Sequence, residues 1–212
     1  AESTPAPDER GTRYTFRLRP RILIADDPAS KGKPRELAAQ DIAYSIKRFR
    51  DPRYASPYEW LFEHKIAGLD AVAEAAKKSG RLDYDAKVAG LEVRDRYTIS
   101  IKLLEPDFNF LYVLAMPNVV PVAREVIEAY GDDTMAHPVG TGPFVLKDWV
   151  RRSKIVLERN PNHRGYELDP RYADPADEWD RRAVDDLRGR RLPLLDRVEI
   201  YPIEEEQPRF LA

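Results

Sequence analysis

The sequence contains no cysteine, which excludes disulfides, thiolate metal sites and a cysteine nucleophile. That absence agrees with an oxidising compartment without establishing one. Histidine is scarce: His64, His137 and His163 are the only three. None has a second histidine at the spacing of a helix-borne metal site, so all three are expected to be ordinary surface or loop residues. No Gly-x-Ser-x-Gly elbow accompanies them, and acyl-transfer chemistry therefore has no candidate. No stretch approaches the roughly 20 apolar residues needed to span a bilayer. Charge of one sign is also lacking. Lys and Arg total 35 against 37 Asp and Glu, a net charge of -2, so no long-range field gathers nucleic acid or an anionic membrane.

What is present is a composition that folds. Hydrophobic residues make up 42% and charged residues 34% of 212, enough to bury a core in one large domain or two small ones. Ala1-Glu2-Ser3-Thr4 shows no basic region followed by an apolar one, so any signal peptide is expected to lie outside this sequence. The ending Glu204 to Ala212 finishes on apolar residues, as expected of a fragment.

Residues 1–13 are rich in Pro, Ser, Thr and charge and are expected to form a disordered lead-in. Tyr14, Phe16 and Leu18 then alternate with Thr15 and Arg17, the pattern of a half-buried strand. Asp26 to Pro34 reads as a loop. Ile42, Ile46 and Phe49 recur at helical spacing until Asp51-Pro52 ends the run. Further helices are expected at Tyr58 to His64 and at Leu69 to Lys78, the latter closed by Gly80. Leu91, Val93, Tyr97, Ile99, Ile101 and Leu103 all fall at odd positions. They predict a hairpin across Asp95-Arg96 whose Thr98, Ser100 and Lys102 face outward. Pro121 to Gly131 carries helical spacing with proline and glycine at the appropriate ends. Phe144 to Val150 with Lys154 to Arg159 predicts a second hairpin, and Val198 and Ile200 a late strand. Asn160 to Leu192, with a short helix from Asp177 to Leu187, reads as a long surface insertion at about 160–192.

Other features have plain structural readings. Gly140-Thr141-Gly142 resembles a phosphate cradle, but Pro143 removes an amide donor and no Lys-Ser pair follows. A tight turn with positive φ at Gly140 or Gly142 is expected. Arg181-Arg182 and Arg188 to Arg191 are interleaved with Asp180, Asp185 and Asp186, which predicts a solvated face. The run Glu204 to Glu206 has no coordination spacing. Trp60, Trp149 and Trp179 are assigned to packing.

Several segments together resemble the family 5 extracellular solute-binding proteins, the oligopeptide and dipeptide binders of ABC importers. They are Tyr14-Thr-Phe-Arg-Leu-Arg19, Leu37-Ala-Ala-Gln-Asp41 with Ile-Ala-Tyr-Ser-Ile-Lys-Arg48, and Asp95-Arg-Tyr-Thr-Ile-Ser-Ile-Lys-Leu103. The most specific is Pro138-Val-Gly-Thr-Gly-Pro-Phe-Val-Leu-Lys-Asp-Trp149, followed in order by Leu157-Glu-Arg-Asn-Pro-Asn162 and Leu195-Asp-Arg-Val198. Departures are Ala38 in place of threonine, His163-Arg164 in place of Tyr-Trp, and a longer Tyr166 to Leu192.

The resemblance implies an α+β fold, a mixed sheet with packed helices, with residues 14–212 forming part of lobe I of a two-lobed periplasmic binding protein. It implies periplasmic residence, a monomer, an ABC transporter membrane permease as partner, and non-catalytic capture of an oligopeptide-like solute. No metal, cofactor or nucleic acid is implied. The acidic residue that holds a peptide amino terminus in some members lies outside the matched region, so no ligand-binding residue is assigned. The alternative is an extracytoplasmic sensory or interaction domain built on the same lobe. A hydrolase is disfavoured by the missing nucleophile and metal constellations.

Overall fold

A computed structural model of the chain describes residues 1–203. In chain order its regular elements are β1 (Arg13–Arg17), β2 (Leu23–Ile24), β3 (Arg35–Glu36), α1 (Ala39–Arg48), α2 (Leu69–Ser79), β4 (Leu91–Val93), β5 (Thr98–Lys102), α3 (Phe110–Leu114), α4 (Arg124–Tyr130), β6 (Phe144–Val150), β7 (Lys154–Arg159), α5 (Glu178–Leu187) and β8 (Arg197–Ile200). Helices and strands are mixed, as an α+β class requires. The chain divides into two compact units, one of residues 1–22 and 36–129, the other of residues 23–35 and 130–212. Strands β2 and β3 pair with each other.

In the first unit, β5 is the central strand of an antiparallel sheet ordered β1-β5-β4. The hairpin register sets Leu91 opposite Ile101 and Val93 opposite Ile99, so the odd-numbered apolar residues share one face. Asp95 closes the connection by accepting from the Tyr97 N–H at 2.8 Å. Tyr14, Ile99 and Ile101 are fully buried. Ser100, expected to face outward, is also fully buried. A central strand has neighbours on both edges, and Ser100 Oγ accepts from Arg13 Nη1 and Thr15 Oγ1, each at 3.2 Å, on the polar side of β1. Burial there is tolerated because the hydroxyl is hydrogen-bonded.

Helix α1 starts on Ala38, whose methyl group supplies no cap. The Asp41 carboxylate accepts from the Ala38 N–H at 2.8 Å, the half of a capping box that survives at an alanine. Lys47 and Arg48 fall in its last turn, where the helix dipole favours cations. Helix α2 is bounded by Gly68 and Gly80, both left-handed. Between Tyr58 and His64 only a 3-10 turn, Glu59–Leu61, forms. The buried pair there, Leu61 and Phe62, is adjacent in sequence and makes no helical stripe, and His64 has left-handed φ of 53°.

Gly90 joins these elements by close approach. It donates to Ala67 O at 2.7 Å and accepts from the Lys102 N–H at 2.9 Å. An added Cβ would lie 2.6 Å from Lys102 O and 2.7 Å from Ala67 N, so only glycine fits.

In the second unit β7 is central, with β6 and β8 antiparallel on either side. A register shift between Leu146 and Asp148 is a bulge that keeps Leu146 and Trp149 on one face. Leu157 and Ile155 lie opposite them on β7, followed by Val198 and Ile200 on β8. None of these six is buried, whereas Val156 on the other face is. Residues 160–192 hold α5 and a β-bridge between Tyr166 and Leu192. Asp177 caps α5 by accepting from the N–H groups of Trp179 and Asp180, yet no residue of that helix is buried.

Candidate functional site

Within the first unit lies an apolar groove of about 850 Å³, within the size range of small-molecule sites. Phe16 and Leu18 reach it from β1 and Ile99 and Ile101 from β5. Pairing of Phe16 with Ile99 and Tyr14 with Ile101 follows from the period-2 pattern of both strands. Helix α1 adds Ile42, Ile46 and Phe49, at the i, i+4, i+7 spacing that identified the helix. The outer wall is Leu111, Tyr112, Val119 and Val120. Tyr112 and Phe108 stand exposed at the lip.

Polar groups in the groove are few. Ser45 Oγ donates to Asp41 O at 2.7 Å and accepts from the Val122 N–H at 2.8 Å, so it is satisfied and not poised as a nucleophile. Arg19 lies at the rim. Such a surface can hold apolar groups and exclude water. It presents no acid–base pair.

A second depression, about 970 Å³, lies along α2 and residues 81–89. Its rim carries Arg53, Arg81, Lys87 and Arg124 beside Asp83 and Asp85. Arg124 is committed to Asp85 and Glu128, each at 2.6 Å. Beneath it runs a buried ionic network. The Lys47 ammonium donates to Tyr84 O at 2.9 Å and Ala86 O at 2.8 Å, and burial pushes its pKa down. Burial pushes Asp51 up, but hydrogen bonds from Arg53 and Tyr84 outweigh it and hold the carboxyl below the ordinary aspartate value. Tyr44, its ring centroid 4.5 Å from that of Tyr84 and tilted against it, is pushed by burial to about 12. Arg50, almost fully buried, faces Asp70 at 3.3 Å, Glu63 at 3.6 Å and Glu59 at 3.8 Å. These groups fasten α1 to the loops around it.

The residues singled out in the sequence are not brought together. His64 sits 3.3 Å from Asp70 in the first unit, His137 stacks on Tyr130 at 3.6 Å, and His163 accepts from the Gly165 N–H. Among the described residues no group of three or more His, Asp or Glu could hold a metal ion. Arg182 pairs with Glu178 and Arg188 with Asp185 on α5, a solvated face as expected. Trp60 and Trp179 are exposed rather than packed. Glu204 to Glu206 lie outside the described residues.

Neither Gly140 nor Gly142 takes positive φ, which corrects the expected turn. The segment is instead held by a residue the sequence did not flag. Buried Asn160 donates from Nδ2 to Gly142 O at 2.8 Å and from its N–H to Pro143 O at 2.9 Å, while Gly140 O accepts from the Ala25 N–H at 2.8 Å. Asn160-Pro-Asn162 was the available signal, because asparagine side chains substitute for backbone partners in turns.

Residues 1–212 match the description "Bacterial extracellular solute-binding proteins, family 5 Middle". The periplasmic oligopeptide-binding protein OppA of Escherichia coli K12 is 35% identical over 153 residues, covering 71% of this chain and 26% of that protein. The probable deoxycholate-binding periplasmic protein YgiS of the same organism is 33% identical over 169 residues, 76% of this chain and 29% of that protein. The solved oligopeptide-binding protein OppAIV of Borrelia burgdorferi superposes with a TM-score of 0.69 at 22% identity, covering 98% of this chain and 34% of that one. The solved neighbours are two-lobed periplasmic binding proteins of which this chain corresponds to a part, and it spans little more than a quarter of the length of the curated relatives it matches. With the whole sequence inside the family match, the chain belongs to the bacterial extracellular solute-binding proteins of family 5.

Proposed function

We propose that the intact protein captures an oligopeptide-like solute outside the cytoplasm, in the periplasm, and delivers it to an ABC transporter permease without bond chemistry. The observation that carries this reading is the 35% identity to an oligopeptide-binding protein over most of this chain. The groove agrees with it, being apolar and without a catalytic pair. The chain is part of one lobe of the binding body, monomeric in solution. The six apolar residues displayed unburied on the β6-β7-β8 face support that placement, because a finished sheet face of this kind is covered.

The test is calorimetric titration of the whole protein and of residues 1–212 with a peptide library fraction, together with mass spectrometry of whatever solute the whole protein retains. A retained peptide, bound tightly by the whole protein and at least about a hundredfold more weakly by this part, is expected, since the entropic cost of association is undiminished when contacts are removed. Turnover of the peptide, or retention of a non-peptide solute alone, would overturn the reading.

A further inference from the structure

Residues 1–8 lie along the open edge of β1. The sheet order places β5 on only one side of that strand, and the strap bonds to the other edge. The Glu2 N–H donates to Arg17 O at 2.7 Å and the Asp8 N–H to Arg13 O at 2.9 Å, an antiparallel course. Between these bonds stand Pro5 and Pro7, which have no N–H to give. The Glu2 carboxylate sits 3.4 Å from Arg17 Nε. From Gly11 on the chain meets another segment, Gly11 O and Thr12 O accepting from the N–H groups of Asp107 and Leu103.

The side chains of this strap are too small for the surface beneath them. Glu2 pairs with Arg17, and Ala1, Ser3, Thr4 and Pro5 lie with it along the groove that Phe16 and Leu18 line. Residues 1–5 do line the apolar groove there, yet about 850 Å³ stays open. The backbone course of an added strand is present, and the large side chains that would fill its groove are not.

We infer that the β1 edge and the apolar groove together form an acceptor for a short extended peptide, with residues 1–8 as a displaceable stand-in. The ligand class is a peptide with large apolar side chains at alternate positions and a carboxylate opposite Arg17. Backbone pairing supplies affinity and the groove supplies selectivity, as in strand addition to a sheet edge. This inference rests on the proposed function only for the choice of a free peptide as ligand.

The probe is a fluorescein-labelled peptide with the sequence of residues 1–8 except Ser3→Phe and Pro5→Phe. Anisotropy titrations compare the 212-residue chain with the same chain lacking residues 1–7. The shortened chain is expected to bind at least about tenfold more tightly, because the attached strap competes at high effective concentration. Val120→Glu, at the groove rim, is expected to cancel that gain. Equal affinities for the two chains, or no binding by a shortened chain whose circular dichroism is unchanged, would overturn the inference. Should the shortened chain not fold, Ser3→Phe in the 212-residue chain decides instead. It is expected to raise the melting midpoint while Ala6→Phe, exposed and outside the groove lining, does not; equal effects of the two overturn it. These measurements use residues 1–212 alone, whereas solute capture is tested on the whole protein, so either idea can fail without the other.

Discussion

The two units were built from the same kinds of residue and reached different degrees of completion. Among the described residues, every buried apolar residue except Ile24, Ala25 and Val156 falls in the first unit. There Tyr44 of α1, Ala76 of α2 and Ile127 of α4 share a core cluster with Leu82 and Tyr84, and α1 also packs on β4 and β5. In the second unit an equally regular sheet leaves Leu146, Trp149, Ile155, Leu157, Val198 and Ile200 unburied, and its amphipathic helix α5 buries nothing. Regular hydrogen bonding therefore does not by itself make a core. Burial against a second layer does, and stability should divide accordingly.

The sharpest way to break this comparison is to delete equivalent side chains. Ile101→Ala is expected to cost about 4 kcal/mol, the range for a fully buried aliphatic. Leu157→Ala is expected to cost about 1 kcal/mol in residues 1–212, because a half-exposed leucine forfeits little transfer energy. Urea titrations of both variants check this. Similar costs would show that the second unit is as well packed as the first.

Gly90→Ala is expected to cost about 3 kcal/mol, since the new methyl meets backbone that must shift. Its effect should be confined to the first unit, and amide hydrogen exchange at Ile99 and Ile101 would show it. In the second unit the corresponding fastener is Asn160. Asn160→Ala is expected to cost about 1 kcal/mol by removing the side-chain bonds to Gly142 O and the Asn162 N–H, while the backbone bond to Pro143 O remains. Trp149 fluorescence should report that loss before Trp60 does; simultaneous changes would mean that the units unfold together.

Acid should also separate them. Asp51 is held below its unfolded pKa, so its contribution is present above about pH 4 and lost as pH falls through the lower, folded value. Thermal melts between neutral pH and about pH 2 should show the first unit weakening over that range, and Asp51→Asn should flatten the decline. An unchanged slope would remove Asp51 from the account. The smallest expected effect is at Ala38: Ala38→Thr is expected to add about 1 kcal/mol by restoring the missing cap oxygen. An unaltered midpoint would show that Asp41 alone satisfies that helix start.

The legibility of the molecule followed periodicity. Strands β1, β5, β6 and β7 and helices α1 and α2 were readable because each has one buried or partly buried face, and a face imposes a repeat on its own segment. The same repeat exposed most of the groove, whose walls are Phe16, Leu18, Ile42, Ile46, Phe49, Ile99 and Ile101. Tyr58 to His64 was misread because its buried residues are adjacent, and a single turn carries no period. Gly140 and Gly142 were misread because glycine permits positive φ without requiring it.

By itself the sequence determined the class of fold, the family and which face of each strand would be apolar, because those depend on the order of residue types along one segment. Only the tertiary structure decided that Ser100 is buried, that Asn160 holds the Gly140–Pro143 segment, and that residues 1–8 lie over a groove they do not fill. Each of those depends on what a distant segment offers as a partner. Ser100 needs Arg13 and Thr15, Asn160 needs Gly142, and the strap needs the edge of β1 that β5 does not take. A hydrogen-bonding group records its own capacity in the sequence and leaves its partner to the fold.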